Sequence, residues 1–130
     1  MSVVKYIPCT TDVLKNLLTT HNLESENLFY MALHTALEET IEDLFVIQLN
    51  GNNIGLIDYN FSSSVDPNAI EIQNFEVLEK AKGYGTMIIN DFIHQHGLSI
   101  CLIPLPGSEV FWGKAGFQPY TAPYYRYNMK

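Results

Sequence analysis

Positive charge is what this 130-residue chain has least of: seven Lys and Arg stand against fourteen Asp and Glu, a formal charge of −7. A protein that grips nucleic acid needs a basic footprint, and none is visible, so no nucleic-acid partner is expected. Cysteine is scarce too. Cys9 and Cys101 are the two in the chain, far apart and in apolar surroundings, which reads as reduced, buried thiols of a cytoplasmic protein rather than a disulfide. No apolar run is long enough to cross a membrane, and Lys5 and Pro8 interrupt the opening apolar stretch where a secretory signal would need continuity. Without such a signal the sequon Asn60-Phe61-Ser62 carries no consequence. Histidines are few and badly placed for a metal. His94 and His96 sit two apart on an expected helix and diverge, and His21 and His34 have no visible partners, so no metal site is expected.

What is there is a core. Apolar residues make up 47% of the chain, enough for one domain over residues 1–130. An acidic surface of this kind favours a cationic or amine-bearing partner.

The pattern along the chain predicts a mixed α+β domain. Val3 to Ile7 reads as a first strand closed by Pro8, and Thr11 before Asp12-Val13-Leu14 as a helix N-cap, with the acid favoured by the helix dipole. That helix ends near Thr20. Ser25 caps a second one, in which Phe29, Leu33 and Leu37 recur at helical spacing, and the acids from Glu38 to Asp43 solvate its far end. Leu44 to Leu49, the type I′ turn signal Asn50-Gly51, and Ile54 to Phe61 form a hairpin. Ile70 to Val77 is a further strand, but Ile70 and Ile72 share one alternation phase whereas Phe75 and Val77 share the other, which predicts a bulge near Gln73-Asn74. A helix follows from Tyr84 to His96 with Gly97 as its C-cap, then a strand from Leu98 to Ile103, a short helix from Ser108 to Ala115, and an aromatic extended segment from Phe117 to Tyr127. The resulting order is β-α-α-β-β-β-α-β-α-β.

The stretch Lys80-Ala-Lys82-Gly83-Tyr84-Gly85-Thr86, between a strand and a helix, carries chemistry of its own. Glycines let backbone approach a ligand closely, and a helix N-terminus presents unpaired N–H groups with partial positive charge. Strand, tight basic loop, helix is a way of holding phosphates. A dinucleotide fingerprint lacks its third glycine here, Gly113-Lys114 lacks the spacing of a nucleotide-binding P-loop, and Cys101 has no nearby His or acid to make it a nucleophile.

Two motifs, Lys80-x-x-Gly83-x-Gly85 and Phe111-Trp112-Gly113-Lys114-Ala115-Gly116-Phe117, together with the element order, resemble the GCN5-related N-acetyltransferase (GNAT) superfamily over essentially the whole chain. The resemblance implies a mixed central sheet flanked by helices and an acetyl-CoA cosubstrate between the strand ending at Val77 and the next one. Backbone groups around Phe75 and Val77 would bond the pantetheine arm, and the loop Lys82, Gly83, Tyr84, Gly85 and Thr86 would take the pyrophosphate. A primary amine of a small molecule or peptide would then attack the thioester directly. Glu71, six residues before Val77, stands where some members carry a general base, with Glu76 the alternative unless it points outward between Phe75 and Val77.

The chain departs from the pattern in three places. The segment from Val77 to Gly83 is about two residues short, Trp112 replaces a frequent tyrosine acid, and Leu105 falls where asparagine is common. An indole donates a hydrogen bond but is no proton-transfer acid. The alternative is therefore a catalytically weak protein of this fold that binds acyl-CoA or a protein partner. Tyr120, Tyr124, Tyr125 and Tyr127 offer either a hydroxyl or an amphipathic edge suited to a homodimer contact.

Overall fold

The computed structural model describes residues 4–23, 25–34, 39–79 and 82–129. Lys80, Leu37, Glu38 and Val3, used above, lie outside them. The elements are β1 (Lys5–Thr10), α1 (Thr11–Thr20), α2 (Glu26–His34), β2 (Thr40–Leu49), β3 (Asn52–Asn60), β4 (Ile70–Val77), α3 (Tyr84–His96), β5 (Ile100–Leu102), α4 (Glu109–Lys114), β6 (Gln118–Pro119) and β7 (Tyr125–Tyr127). The chain forms two compact units, one of Met1–Asp58 with Asn74–Gly85, the other of Tyr59–Gln73 with Thr86–Lys130.

In the first unit the strands follow the order β1-β2-β3-β4, and β1-β2 and β2-β3 are antiparallel. The β2–β3 turn carries Asn50 at φ 51° and Gly51 at φ 82°, the two positive values a type I′ turn requires. Pro8 does not close β1. The strand runs through it, pairing Pro8 with Phe45, and the register shifts between Pro8 and Thr10. Proline lacks a ladder donor, and an edge strand with an irregularity is where a sheet accommodates it. Thr11 is the first helical residue rather than the cap, is buried, and donates its N–H to Glu39 O at 3.0 Å.

Helix α1 buries Leu14 and Leu17, which pack with Leu28, Ala32, Cys9, Leu44, Val46 and Leu56. Each leucine fully withdrawn from water is worth about 1.5–3 kcal/mol. The buried stripe of α2 is Leu28 and Ala32, while Phe29, Tyr30 and Leu33 face outward. The helical spacing of Phe29 and Leu33 is real, but it marks the opposite face.

In the second unit the order is β4-β5-β7-β6. β4 pairs in parallel with β5 through Ile70↔Ile100, Glu71↔Cys101 and Ile72↔Leu102, and β5 pairs antiparallel with β7. Antiparallel and parallel pairing together, with four helices among the described elements, make the fold mixed α+β. Gly97 ends α3 at φ 60°, its N–H donating to Ile93 O at 3.0 Å. The aromatic tail divides into β6 and β7, with Tyr124 hydrogen-bonded to Ser64 Oγ at 3.0 Å and Arg126 paired with Asp66 at 2.7 Å. His96 packs its ring 4.3 Å from Phe92 and 5.3 Å from Tyr59, and burial pulls its pKa below the ordinary imidazole value. Cys9 and Cys101 are free and buried. Burial pushes the Cys9 thiol up to about 11, which suits a core residue rather than a nucleophile. Among the described residues no helix is long and apolar enough to cross a membrane, and no group of three potential ligands is gathered for a metal.

Candidate functional site

β4 decides what surrounds the site. Its burial alternates without interruption: Ile70, Ile72, Asn74 and Glu76 are buried, while Glu71, Phe75 and Val77 are half-buried and Gln73 is exposed. The phase change expected near Gln73-Asn74 is therefore absent from the burial pattern. Two polar side chains instead take inward positions. Glu76 in particular does not point outward; it is 2% exposed.

Buried polar groups cost free energy unless they are hydrogen-bonded, and the first unit supplies partners from distant elements. Ser25, at the start of α2, donates its backbone N–H to Glu76 Oε1 at 2.5 Å and its hydroxyl to Asn74 Oδ1 at 2.6 Å. Asn74 Nδ2 donates to Asp58 Oδ2 at 2.9 Å. Asp58, on β3, is 3% exposed. Four side chains thus tie the α1–α2 connection to the middle of β4. Sequence reasoning missed Ser25, Asn74 and Asp58 as a group. The available signal was the polar pair Asn74 and Glu76 in the phase of Ile70 and Ile72, read above as a bulge.

Burial pushes the Asp58 carboxyl above the ordinary aspartate value, the Asn74 amide pulls it part of the way back, and the Asp43 charge adds to the rise. A carboxyl raised in the folded state contributes most to stability below the ordinary aspartate pKa, and that contribution is lost as pH rises through the raised value. Asp58→Asn keeps an oxygen for Asn74 Nδ2 and removes the titration. Its stability relative to wild type is expected to improve as pH rises from about 4 to 7, read by urea unfolding at each pH. Parallel pH curves for the two proteins would refute the assignment.

Glu71 lies on the same strand, half-buried, opposite Cys101, and accepts a hydrogen bond from Ser63 Oγ at 2.8 Å. Ser63 is itself buried, and its N–H and carbonyl are both bonded to Asp66. The Glu71 carboxylate is therefore held by a fixed partner rather than free to swing.

β4 runs five residues past its last pair with β5, from Gln73 to Val77. Phe75 and Val77 present half-buried positions along that stretch. After it come Lys82 and Gly83, both exposed, and α3 begins at Tyr84. Gly83 has φ 74°, and a Cβ built there would meet nothing within 4 Å among the described residues. Tyr84, Gly85 and Thr86 form the first turn of α3, whose N–H groups have no intrahelical acceptor. The turn carries no acidic residue, so its partial positive charge is undiminished by its own side chains. Lys82 Nζ sits 3.1 Å from Glu79 Oε2, and that contact raises the lysine pKa.

The second motif is a packing feature. Trp112 is 5% exposed, with its ring 4.9 Å from Phe111 and 5.1 Å from Phe117, edge to face. It supplies no acid.

No protein-family model matches the chain. An uncharacterised N-acetyltransferase of Shouchella clausii is 36% identical over 69 residues, 50% of this chain and 41% of that relative. The match thus spans about two fifths of the relative's length. Among solved structures, the Bacillus subtilis N-acetyltransferase YlbP in complex with coenzyme A superposes with a TM-score of 0.66 at 15% identity, covering 98% of this chain and 97% of that one. The aminoglycoside acetyltransferase AAC(6')-Ib in complex with coenzyme A gives 0.66 at 16% identity, covering 96% and 94%. Tetrahymena GCN5 gives 0.59 at 14% identity, covering 93% and 84%. The chain has the fold of the GCN5-related N-acetyltransferases.

Proposed function

We propose that this protein is an acetyl-CoA-dependent N-acetyltransferase that acetylates a primary amine by direct attack on the thioester. The observation that carries this reading is the loop into α3: an exposed, positive-φ glycine followed by a helical first turn in which Tyr84 and Gly85 are half-buried and Thr86 is exposed, on a fold whose neighbours include coenzyme A complexes. Lys82, Gly83, Tyr84, Gly85 and Thr86 would hold the pyrophosphate through backbone N–H groups. The backbone of Phe75 and Val77 would accept the pantetheine arm as an added strand.

In the transfer step the neutral amine nitrogen forms a bond to the thioester carbonyl carbon, the C–S bond breaks, and CoA leaves as a thiolate. The ammonium proton must be removed before or during attack. Glu71 is the proposed acceptor of that proton. The thiolate then takes a proton from solvent, which agrees with the burial of Trp112. The alternative of a protein that binds acyl-CoA with little turnover draws on Trp112 and Leu105 at the positions of the frequent tyrosine and asparagine, and on the short segment from Val77 to Gly83. A cationic acceptor fits the formal charge of −7, and AAC(6')-Ib has been solved with kanamycin; polyamines and aminoglycosides are the substrate classes to screen.

Calorimetric titration with acetyl-CoA and CoA tests the binding. Micromolar affinity is expected, and a folded protein that binds neither would overturn the reading. Glu71→Gln tests the base. At neutral pH it should slow transfer about 100-fold with CoA affinity unchanged, the deficit shrinking as pH approaches the amine's own pKa. A variant with the wild-type pH–rate profile would reject Glu71.

A further inference from the structure

The β3–β4 connection lies across three neighbouring strands of the second unit. Glu71 on β4 pairs with Cys101 on β5, and Cys101 with Arg126 on β7, so the three stand side by side on one face of the sheet. The connection touches both ends of that row. Ser63 Oγ donates to Glu71 Oε1 at 2.8 Å, and Asp66 Oδ2 accepts from Arg126 Nη2 at 2.7 Å. We propose that Ser63 and Arg126 are positioning residues for the transfer reaction: Ser63 orients the Glu71 carboxylate, and Arg126 holds Ser63 in place through Asp66. The proposal rests on the acetyltransferase reading above, with Glu71 as the acceptor of the amine's proton.

Connectivity supplies the first argument. Ser63 N–H donates to Asp66 O at 3.2 Å, and Asp66 N–H donates to Ser63 O at 3.3 Å, so the two residues are locked together. Asp66 is fixed in turn. Its carbonyl also accepts from Ala69 N–H, and its Oδ1 from Asn68 N–H, both at 3.0 Å. Ser64 Oγ adds a second tie, 3.0 Å from the Tyr124 hydroxyl just before β7. A shift of β7 is therefore passed to the Ser63 hydroxyl.

Burial supplies the second. Ser63 is 4% exposed, and Cys101, in the middle of the row, is fully buried. Burial raises the Cys101 thiol pKa, while the Ser63 hydroxyl and the Arg126 guanidinium act against that rise, which sets both groups beside the thiol. The Arg126 and Asp66 side chains are 23% and 16% exposed, so water screens the pair less than it would a surface ion pair. The Asn68 N–H and then Arg126 hold the Asp66 carboxyl below the ordinary aspartate value, and the pair stays charged at neutral pH.

The third argument is chemical. A general base must lie within hydrogen-bond reach of the proton it takes, and a misplacement of about 1 Å costs on the order of 100-fold in rate. A glutamate side chain is flexible unless something holds it. The bond from Ser63 engages Oε1 and leaves Oε2 to take the proton. Val65 N–H donates to the same Ser63 oxygen at 3.3 Å, so that hydroxyl accepts on one side and donates to Glu71 on the other.

The test is steady-state transfer from acetyl-CoA to spermidine and to kanamycin, with calorimetric CoA affinity and thermal unfolding measured alongside. The proteins are wild type, Ser63→Ala, Arg126→Gln, Glu71→Gln, and the two double variants that add Glu71→Gln. Ser63→Ala should lower kcat about 10-fold and Arg126→Gln about 5-fold, each with the amine KM and the CoA affinity within about twofold of wild type. In the Glu71→Gln background neither change should slow transfer by more than about twofold further, because the group through which both act is gone. Full additive losses there would overturn the positioning role, since a general structural defect adds to the loss of the base. Amide exchange gives a readout that needs no turnover. Arg126→Gln should speed exchange at the Ser63 and Asp66 N–H groups about 10-fold or more, and unchanged exchange would overturn the link from β7. Wild-type activity in Glu71→Gln, or no transfer by folded wild type, is a different result: it removes the Glu71 or the acetyltransferase reading itself, and the positioning role falls with it.

Discussion

Gly83→Val is expected to abolish measurable CoA binding, a loss of about 100-fold or more, while the protein still folds. Gly83 sits at φ 74°, and a Cβ placed there has open space around it. A Cβ there therefore meets no clash among the described residues. The cost of the substitution is conformational: a non-glycine residue in the left-handed region costs about 1–3 kcal/mol, and a β-branched one lies toward the upper end. Gly83 is exposed and precedes the helix, so the chain can relieve that strain by turning the loop backbone to negative φ. Relief of this kind spares stability and redirects the N–H groups that would meet the phosphates. The branched side chain also fills the space that a ligand would use. Gly83→Ala, with less strain and less bulk, should weaken binding by about 10-fold. The measurements are titration calorimetry for affinity and thermal unfolding for fold. Gly85→Val should lose binding as well, through bulk in the first turn. Full CoA affinity in folded Gly83→Val and Gly85→Val proteins would remove the loop from the site.

This loop is legible in the amino-acid sequence because its chemistry is local. Glycine spacing, a preceding strand and a following amphipathic helix all lie within a dozen residues, and the same is true of the Asn50-Gly51 turn and the Gly97 cap. What escaped was whatever depends on a partner distant in sequence. Asn74 and Glu76 look like a broken strand pattern until Asp58, 16 residues away, and Ser25, 49 and 51 residues away, are brought to them. Phe29 and Leu33 have helical spacing, but spacing does not say which face of α2 meets Leu14 and Leu17; the smaller pair Leu28 and Ala32 does. Pro8 is tolerated because β1 is an edge, and edge position is a property of the sheet, not of the residue. The role of Glu71 stands on resemblance, and its hydrogen bond to Ser63 adds a reason for a fixed carboxylate without assigning the proton transfer.

Asn74→Ala should cost about 2–4 kcal/mol of stability, more than any surface substitution in the loop, because Asn74 is the hub of the buried network. It accepts from Ser25 Oγ at 2.6 Å and donates to Asp58 Oδ2 at 2.9 Å. The two bonds are not equal. Ser25 is half-buried and can turn toward water, so its loss is small. Asp58 is 3% exposed, and a buried carboxylate deprived of its donor bears the desolvation cost in full. Asp58→Ala added to Asn74→Ala should then cost less than the sum of the single changes, a coupling of about 1–2 kcal/mol by urea unfolding. Asn74→Asp provides the sharper contrast. It keeps the shape and sets a second carboxyl against Asp58, so the pair can share a proton only at acid pH. That variant should be severely destabilised at neutral pH and recover as pH falls, the reverse of ordinary acid unfolding. Amide exchange at the start of α2 should rise in Asn74→Ala, since Ser25 would lose one of the two bonds that tie it to β4. If Asn74→Ala cost under about 0.5 kcal/mol, the value expected of a surface site, the Asn74 bonds would be short distances without energetic weight, and the α1–α2 connection would owe its place to the Ser25–Glu76 bond and to apolar packing.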